Sequence, residues 1–334
     1  AALSEGNHTI CVRGKDIVGN WGSYNCAFFT VDRSPLIVNI DSPSSGTVFA
    51  TDSVTLRGRI IDSTSYITSI EYQLDGSSWQ SVSPDDGTLN DELSEEFTIS
   101  LSSLSDDIHT VYVRATDAAS DTNVASSSVW FYVDTNAPSI SLLPQVPNPL
   151  SSTTVTLQGS ASDTTTSIQK VTFCLDGGDW YEAGASDGDF DSQNEGFSIY
   201  LAGLSEGTHT VYAKAYDMAG NTTQTSTTFV VDTKGPLATN VAISPVTTNE
   251  SITTVLTFTL QEPSPGTTIT SAEYFFDGND PGEGAGYSIP VTATSSPTQV
   301  TVQVSPSLIA ALSEGNHTIC VRGKDIVGNW GSYN

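Results

Sequence analysis

Acidic side chains recur at corresponding positions along this chain, and their type and spacing could support metal binding. A segment ending in Val-Asp occurs three times, at residues 31–32, 133–134 and 231–232. An aspartate also follows each of the four histidines by eight residues, at positions 16, 117, 217 and 325. Carboxylate oxygens are the ligands that Ca²⁺ prefers, and the ion takes about six to eight oxygens. The pattern therefore favours divalent-cation binding, if the fold brings these side chains together.

The histidines themselves do not form a metal site with one another. They stand at residues 8, 109, 209 and 317, each within the recurring string Leu-Ser-x-x-x-His-Thr. Steps of 101, 100 and 108 residues place them in different domains, so no two of them share an ion. We interpret each one as a structural histidine at the rim of its domain.

A longer repeat explains these steps. Residues 310–334 copy residues 1–25 letter for letter, which gives a period of 309 residues. Identity over such a length indicates a tandem array, of which this chain covers about one period plus an overlap. The histidine positions divide the period into three units of roughly 100 residues, an ordinary size for one domain.

Each unit is predicted to fold as a β-sandwich. Short segments rich in Val, Thr, Tyr and Phe alternate with polar turns, and no helical periodicity is evident. Asp75-Gly76 and Asp176-Gly177 are typical of tight hairpins. About seven strands in roughly 100 residues is the pattern of an immunoglobulin-like sandwich. The sequence therefore predicts an all-β fold of tandem immunoglobulin-like domains, three to each super-repeat of 309 residues.

A proline within four residues of each Val-Asp marks the predicted junctions between domains. Residues 1–34 are expected to be the C-terminal part of a domain, with its last two strands. Residues 35–136 and 137–234 are expected to be complete domains, and residues 235–334 a domain that lacks its last strand.

Residues 26–32 have the sequence expected of the strand missing from the final domain. In a tandem array, a copy of these residues would follow residue 334. A sandwich without this strand exposes unpaired backbone and a cleft of apolar side chains. Two interpretations stay open. The strand comes either from the continuation of the same chain or from a neighbouring copy, by donor-strand addition.

Three stretches of one unit resemble bacterial immunoglobulin-like repeats. They are LSEGTHTVYAKAYDMAGN at residues 204–221, LDGGDW at 175–180 and DGDFDS at 187–192. Such repeats occur in large secreted and cell-surface proteins, generally as stalks, spacers or adhesive units. The resemblance implies a structural class and no particular chemistry.

The sandwich topology specifies which carboxylates meet. The last strand of one domain ends at the pole where the loops after the second and sixth strands of the next domain also lie. The predicted sets are Asp32, Asp62 and Asp117; Asp134, Asp163 and Asp217; and Asp232, Glu262 and Asp325. Three carboxylates at one junction repel one another unless a cation joins them, so we predict Ca²⁺ at each set. The alternative is that these side chains cap turns through local hydrogen bonds.

A second candidate calcium site lies within one loop. Carboxylates alternate there, at Asp187, Asp189, Asp191 and Glu195, as at the start of a calcium-binding loop. The loop lacks the glycine and the final glutamate that such loops carry at fixed positions. The alternative is a solvated acidic loop.

The cysteines predict one disulfide. Cys11 and Cys26 fall opposite each other on the last two strands of a domain, and a bond between them would contribute roughly 3 kcal/mol; the alternative is two free thiols. Cys320 is the repeat copy of Cys11, and the copy of Cys26 would stand at position 335. Cys320 is therefore predicted to be unpaired here or bonded to another copy of Cys26. Cys174 has no partner in its own domain, so it is a lone thiol or an intermolecular bridge.

Four asparagines stand in Asn-x-Ser/Thr frames, and their positions are Asn7, Asn221, Asn249 and Asn316. They are candidate glycosylation sites in a secreted chain. The alternative is chance, because a sequence rich in Ser and Thr produces such triplets often.

Composition narrows the functional classes. The formal charge of −27 repels nucleic acid and suits an extracellular setting. No apolar run is long enough to span a membrane, and no secretory signal is present in the sequence. No phosphate-binding loop, zinc spacing or nucleophile elbow appears, so we expect a protein that is not an enzyme.

These observations predict an extracellular, cell-surface structural protein, a rod or filament whose partners are further copies of itself. The alternative is an adhesin or a carbohydrate-binding stalk module that contacts surface glycans. A binding module predicts clustered, exposed aromatic rings such as Trp180 and Tyr181, whereas a spacer predicts that Trp79 and Trp180 are buried.

Overall fold

The computed structural model describes residues 2–89, 93–119, 125–249, 251–263, 267–294 and 296–334. Nearly all its regular structure is β, which confirms the predicted all-β class. The first element is a terminal hairpin, in which strand β1 (Gly6–Val12) pairs antiparallel with strand β2 (Asn25–Val31). Cys11 lies opposite Cys26 in this ladder, and Val12 lies opposite Asn25.

Sandwich A follows the hairpin. Its strands are β3 Ile37–Ser42, β4 Thr47–Phe49, β5 Val54–Ile61, β6 Ile67–Leu74, β7 Gln80–Ser81, β8 Ser94–Leu101, β9 Asp107–Asp117 and β10 Ala125–Val133. They form one sheet in the order β3-β5-β8 and a second in the order β4-β10-β9-β6-β7. Alternate residues of β5 face a core that includes Leu56, Phe97 and Phe131, as the period-two pattern of the sequence requires.

Sandwich B repeats this arrangement. Its strands are β11 Ser139–Leu142, β12 Val155–Ser162, β13 Ile168–Leu175, β14 Tyr181–Glu182, β15 Gly184–Ala185, β16 Asn194–Leu201, β17 Gly207–Asp217 and β18 Thr222–Val231. The sheets run β11-β12-β16-β15 and β14-β13-β17-β18. The core between them includes Leu157, Phe197 and Phe229, at the positions that correspond to the core of sandwich A.

Sandwich C completes the chain. Its elements are β19 Leu237–Ser244, β20 Thr254–Gln261, β21 Ile269–Phe276, β22 Tyr287–Thr294, β23 Thr298–Val304, helix α1 Pro306–Ala310 and β24 Ile319–Asp325. The sheets run β19-β20-β23 and β22-β21-β24. The five-residue helix leaves the all-β class unchanged, and the sequence pattern did not indicate it. Proline at the first turn has a backbone dihedral suited to a helix start, which is a local effect that periodicity does not detect.

The last strand of sandwich A is an internal strand of its sheet. Strand β10 pairs antiparallel with β9 on one side and parallel with β4 on the other. In sandwich B, β18 pairs with β17, and a parallel bridge joins Leu150 to Val231 on its other side. In sandwich C, β24 occupies the place of β9 and β17.

Candidate metal centres at the junctions

The structure brings together all three predicted carboxylate sets. Site 1 is Asp32, Asp62 and Asp117; site 2 is Asp134, Asp163 and Asp217; site 3 is Asp232, Glu262 and Asp325. Within each site, one oxygen from every residue lies within 4.8 Å of the others. One member follows the last strand of the preceding unit, and the other two belong to the unit that comes next.

Local sequence positions each carboxylate of site 2. Asp134 directly follows β10, Asp163 directly follows β12, and Asp217 is the final residue of β17. Asp163 Oδ1 accepts the N–H groups of Thr165 and Thr166, at 2.8 and 2.9 Å, which fixes the turn before β13. The three strand ends therefore converge at the junction without any long connecting loop.

Two further side chains hold the linker of site 2 against the next sandwich. The amide nitrogen of Asn221 donates to the carbonyl oxygens of Asp134 and Asn136, at 2.9 and 2.8 Å, and to Asp217 Oδ2 at 3.0 Å. The hydroxyl of Thr166 donates to Asp134 Oδ2. These contacts orient the linker backbone and two of the three carboxylates.

Site 2 concentrates negative charge in a buried place. All three of its aspartates are buried, and no Lys, Arg or His in the described part of the chain lies within 4.0 Å of their carboxylates. Burial raises the pKa of Asp134 above its ordinary value, and the charges of Asp163 and Asp217 raise it further. The arrangement is therefore costly without a counter-charge.

Site 1 contains a carboxylate oxygen that turn capping does not use. Asp62 Oδ1 accepts the N–H groups of Thr64 and Ser65, at 2.7 and 2.8 Å. Asp62 is 4% exposed, and within the described residues its Oδ2 has no hydrogen-bond partner. Asp32 Oδ2 accepts from the hydroxyl of Ser65, in the way that Asp134 accepts from Thr166. A buried, unpaired carboxylate oxygen is rare in folded proteins and is suited to a cation ligand.

Site 3 has the same plan with a glutamate in one position. Asp325 Oδ1 accepts the N–H groups of Gly328 and Asn329, and its Oδ2 accepts from the Asn329 amide at 2.8 Å. That amide also donates to the carbonyl oxygen of Asp232 at 2.9 Å, as Asn221 does at site 2. Glu262 and Asp232 are buried beside it.

The donor set of the three sites fits a hard cation. Every ligand in the clusters is a carboxylate oxygen, without sulfur or imidazole nitrogen. Ca²⁺ accepts such oxygens in flexible geometry, whereas Mg²⁺ requires a near-ideal octahedron and retains more water. Turn capping and cation binding are compatible here, because Asp62 uses Oδ1 for the first and keeps Oδ2 for the second.

The second predicted calcium site is not assembled in the structure. Glu195 is buried, and its Oε1 accepts from the N–H groups of Asp191 and Ser192 and from the Ser192 hydroxyl. Burial opposes its ionisation, but these hydrogen bonds outweigh burial and lower its pKa. Asp187, Asp189 and Asp191 are exposed, and this described loop contributes no member to the three clusters. The loop therefore has the geometry of a capped turn.

The cysteines fall into two groups. Cys11 and Cys26 are joined by a disulfide across the terminal hairpin. Cys174 and Cys320 are free thiols, and Cys174 is buried.

In each sandwich, the repeated histidine makes a hydrogen bond to an aspartate in a hairpin turn. His109 Nδ1 lies 2.7 Å from Asp75 Oδ2, and His109 Nε2 lies 2.8 Å from the carbonyl oxygen of Ser105. The pairs His209–Asp176 and His317–Asp277 repeat this geometry at 2.7 and 2.8 Å. The hydrogen bonds account for the repeated histidine without a metal ion.

The four Asn-x-Ser/Thr asparagines differ in their surroundings. Asn7, Asn249 and Asn316 are exposed. The amide nitrogen of Asn221, to which a glycan would be attached, makes the three hydrogen bonds of site 2. The structure therefore assigns Asn221 to the junction, in conflict with the glycosylation hypothesis at that residue.

The exposure of Trp79 and Trp180 lies between the pattern predicted for a binding module and the pattern predicted for a spacer. Trp180 is 43% exposed, and the Lys214 ammonium lies 5.0 Å from its ring centroid. Tyr181 is exposed beside it. Trp79 is half-buried beneath the guanidinium of Arg114, at 4.0 Å. Trp180 does not show the burial expected of a spacer, because its ring packs on the outer face of a sheet beside Lys214.

Sequence reasoning missed the side chains that orient the carboxylates. Asn221 and Asn329 stand four residues after the aspartates that they bind, within Gly-Asn turns that the sequence displays repeatedly. Ser65 and Thr166 stand three residues after Asp62 and Asp163. These fixed offsets are the signal that could have identified them.

Comparison with protein families gives two matches. Residues 147–233 match a family described as bacterial Ig-like domain, and residues 37–113 match one described as bacterial Ig domain. No curated protein matches the chain. Within the described residues, no helix is both long and apolar enough to cross a membrane.

Solved structures with related folds include the following three. A tetra-tandem repeat from the extending region of a large adhesion protein is 18% identical, with 99% of this chain and 82% of that chain covered and a TM-score of 0.34. A 1.5-MDa bacterial ice-binding adhesin is 21% identical, with 90% of this chain and 96% of that chain covered and a TM-score of 0.38. Fibronectin(III)-like modules of CbhA from Clostridium thermocellum are 19% identical, with 59% of this chain and 95% of that chain covered and a TM-score of 0.34. Similarity at this level carries no information about function.

Proposed function

The chain carries bacterial immunoglobulin-like domains in tandem, and on this basis we propose that it is an extracellular, cell-surface structural protein. Its domains would be joined end to end into a rod or filament. Such domains are typically structural modules without catalytic activity. The charge of −27 supports an exposed, soluble surface that attracts cations.

The mechanism that we propose is a cation clamp at each junction. The observation that carries it is the repetition of one arrangement three times, with one carboxylate from a linker and two from the sandwich that follows. Ca²⁺ bound among these oxygens would join the linker to the loops after it. Each junction would then bend less, because bending would pull ligands from the ion.

End-to-end extension has two possible routes. The identity of residues 1–25 and 310–334 supports a covalent array in which the same units recur. The alternative route is head-to-tail assembly of separate chains, in which a strand of one chain completes a sandwich of the next. Both routes give a rod of the same domains and use the same clamps.

Equilibrium dialysis of the full chain against radioactive calcium tests the clamp. We expect about three bound ions per chain, one for each cluster. Combining Asp134→Asn, Asp163→Asn and Asp217→Asn should remove one of them. The matched control combines Asp187→Asn, Asp189→Asn and Asp191→Asn, which removes the same charge from the loop that is not assembled. Absence of binding, or equal loss in both triple variants, would refute the clamp.

A carbohydrate-binding stalk module is the second candidate function. The observation that favours it is the exposure of Trp180 and Tyr181, because aromatic faces and a nearby ammonium group can contact a sugar. Binding of the full chain to surface glycans, abolished by Trp180→Ala and retained by Trp130→Ala, would support this function. Equal binding by both variants would exclude Trp180 as the contact.

A further inference from the structure

An acidic residue occupies the third position of every Leu-Ser-x-x-x-His-Thr string. The four residues are Glu5, Asp106, Glu206 and Glu314. The hydrogen bonds of the repeated histidine account for the end of the string, but not for the acid three residues earlier. None of these four described residues is a member of sites 1 to 3. The acid therefore needs an explanation of its own.

The fold fixes the turn that carries the acid of sandwich A. Leu104 is buried, and its N–H donates to the carbonyl oxygen of Asp52 at 3.0 Å. His109 Nε2 lies 2.8 Å from the carbonyl oxygen of Ser105, which directly precedes Asp106. The turn is thus held on both sides, so the carboxylate of Asp106 has a defined position relative to the sandwich.

The carboxylate of Asp106 binds the linker that leaves the same sandwich. It accepts the N–H of Thr135 at 2.8 Å and the Thr135 hydroxyl at 3.0 and 3.1 Å. It also accepts from the side-chain amide of Asn136. All of these partners are donors, which suits an ionised carboxylate because it only accepts. Thr135 directly follows Asp134, so the acid holds the backbone beside the linker member of site 2.

Asn136 continues this contact into the next sandwich. Its side chain donates to Asp106 of sandwich A, whereas its carbonyl oxygen accepts from the Asn221 amide of sandwich B at 2.8 Å. Two hydrogen bonds on one linker residue therefore connect the two sandwiches. This connection is made of side chains and backbone alone, so it is separate from the carboxylates of site 2.

Sandwich B presents its acid in the same way. His209 Nε2 lies 2.9 Å from the carbonyl oxygen of Ser205. The next residue, Glu206, accepts the N–H of Thr233 at 3.4 and 3.2 Å and accepts from the Thr233 hydroxyl. Thr233 directly follows Asp232, the linker member of site 3. The contact therefore recurs at a second junction.

The terminal hairpin contains the contact a third time. His8 Nε2 lies 2.6 Å from the carbonyl oxygen of Ser4. Glu5 accepts the N–H of Arg33, the residue after the linker member of site 1, at 3.4 Å. Glu5 also accepts from the hydroxyl of Thr64 in sandwich A, at 3.0 Å. At every described junction, the residue that follows the linker carboxylate thus donates its N–H to the acid of the preceding unit.

We propose that Glu5, Asp106 and Glu206, the linker-holding acids, are positioning residues that fix each linker to the preceding unit. The inference rests on the cation clamp proposed above and adds a second side to it. The ion would join the linker to the sandwich that follows, and the acid joins the linker to the sandwich that precedes. Without the acid, the linker could turn freely after the last strand.

Holding the linker also prepares the proposed ion site. A carboxylate that already lies in its binding position loses less freedom when the ion arrives, so the apparent affinity is higher. Asp134 follows β10 directly, and Asp106 holds the residue after it. Loss of Asp106 should therefore weaken calcium at site 2 without removing any member of the site.

Three variants of the full chain test this role. Asp106→Ala removes the contact. Asp106→Glu should retain it, because the other two linker-holding acids are glutamates. Asp107→Ala is the matched control, since it removes the same charge one residue away from a carboxylate that accepts the N–H of Ile108 at 2.7 Å. Thermal unfolding of all three shows whether the sandwiches stay folded.

Hydrogen exchange of the Thr135 amide in chelator measures the contact directly. We expect Asp106→Ala to speed this exchange by about tenfold or more, because a hydrogen bond to a charged acceptor is lost. Residual dipolar couplings of sandwiches A and B should also show more independent alignment in Asp106→Ala. Asp106→Glu and Asp107→Ala should behave like the original chain. Equal exchange or equal alignment in all four chains would overturn the proposal.

A calcium titration, followed at the amides of Thr165 and Thr166, measures the effect on site 2. We expect Asp106→Ala to weaken the apparent affinity by about three- to tenfold, and Asp106→Glu and Asp107→Ala to retain it. Unchanged affinity in Asp106→Ala would overturn the positioning role. If the original chain binds no calcium, the clamp itself fails, and the exchange and alignment in chelator then decide whether the acids hold the linker.

Discussion

At the scale of single residues, the junction chemistry depends on carboxylates that the fold buries together. Asp134, Asp163 and Asp217 show the principle, since each accepts hydrogen bonds from its own turn while an oxygen of each approaches the other two. Hydrogen bonds orient the carboxylates, and in the proposed clamp a cation would relieve their mutual repulsion. In site 1 and site 3, hydrogen bonds likewise orient carboxylates whose negative charges lie close together.

The histidine–aspartate pairs predict how stability depends on pH. Burial opposes protonation of His109 and His209, but hydrogen bonds and the nearby aspartates outweigh it and raise the pKa of both above 6.5. Their contribution to the free energy of unfolding is therefore fully present below pH 6.5 and is lost as pH rises through the folded-state pKa. We expect thermal unfolding midpoints in chelator to fall between mildly acidic and mildly basic pH. His109→Gln with His209→Gln should remove most of this fall, and an unchanged slope in that variant would contradict the assignment.

The ion pair in sandwich C predicts a large effect of a single substitution. Arg322 Nε lies 2.6 Å from Glu273 Oε1, and both side chains are buried. Because Glu273→Gln leaves a buried guanidinium with less compensation, we expect a loss of about 3–5 kcal/mol. Hydrogen exchange of the β21 and β24 amides measures the loss within this sandwich.

An exposed ion pair offers the control for that substitution. Arg59 and Asp41 approach to 3.7 Å, and each side chain is half-exposed. Asp41→Asn should change the protection of nearby amides by less than about 1 kcal/mol. Similar losses of stability in Glu273→Gln and Asp41→Asn would show that burial does not determine how much each ion pair contributes to the free energy of unfolding.

The sequence identified the carboxylates of the three sites more readily than the side chains that orient them. Asp62 and Asp163 could be placed because the topology of a sandwich specifies which loops share a pole. Asn221 could not be separated from a glycosylation frame, since the choice depends on whether its amide nitrogen reaches the linker carbonyl of Asp134. That distance is set by the angle at which two domains meet, which the local sequence does not encode.

At the scale of strands, the alternation of side chains determines the sheets, and a glycine leaves room for the phenylalanine ring on the neighbouring strand of the same sheet. Gly58 lies opposite Phe97 in sandwich A, and Gly159 lies opposite Phe197 in sandwich B. In both, the ring of the phenylalanine occupies the space that a side chain on the glycine would need. The repetition indicates a packing requirement of the fold.

Filling that space should destabilise sandwich B. A Cβ at Gly159 would lie 2.3 Å from Cζ of Phe197 and 2.4 Å from the carbonyl oxygen of Ser141, which is too close for either to remain in place. We expect Gly159→Ala to cost about 1–3 kcal/mol, measured by hydrogen exchange of the β12 and β16 amides. Gly184→Ala is the control, because its nearest neighbour would be 3.7 Å away. Equal protection in the two variants would contradict this account.

The presence of about seven strands in each complete unit was predictable because their pattern is local and periodic. In sandwich B, the alternation of Val, Thr and Tyr identifies β17 and its neighbours directly. The short elements were not predictable in this way. Strand β15 has two residues and helix α1 has five, and neither is long enough to display a period of hydrophobic residues.

At the scale of the whole molecule, the central claim is that cations control how the domains are held relative to one another. If calcium is present at about one hundred times its dissociation constant, each site that is lost on unfolding would add about 2.7 kcal/mol to the free energy of unfolding. The sequence could suggest this behaviour through its repeats, its charge and the recurring carboxylates. It could not show that three separate loops converge within 4.8 Å at every junction, because that requires the folded domains.

Small-angle X-ray scattering of the full chain, in calcium and then in chelator, tests the central claim most directly. The account predicts that chelation broadens the distribution of interatomic distances, since each junction gains freedom to bend. The variant that combines Asp134→Asn, Asp163→Asn and Asp217→Asn should show part of this broadening while calcium is still present. The variant that combines Asp187→Asn, Asp189→Asn and Asp191→Asn should scatter like the original chain in both conditions. Identical curves for the original chain in calcium and in chelator would contradict the account.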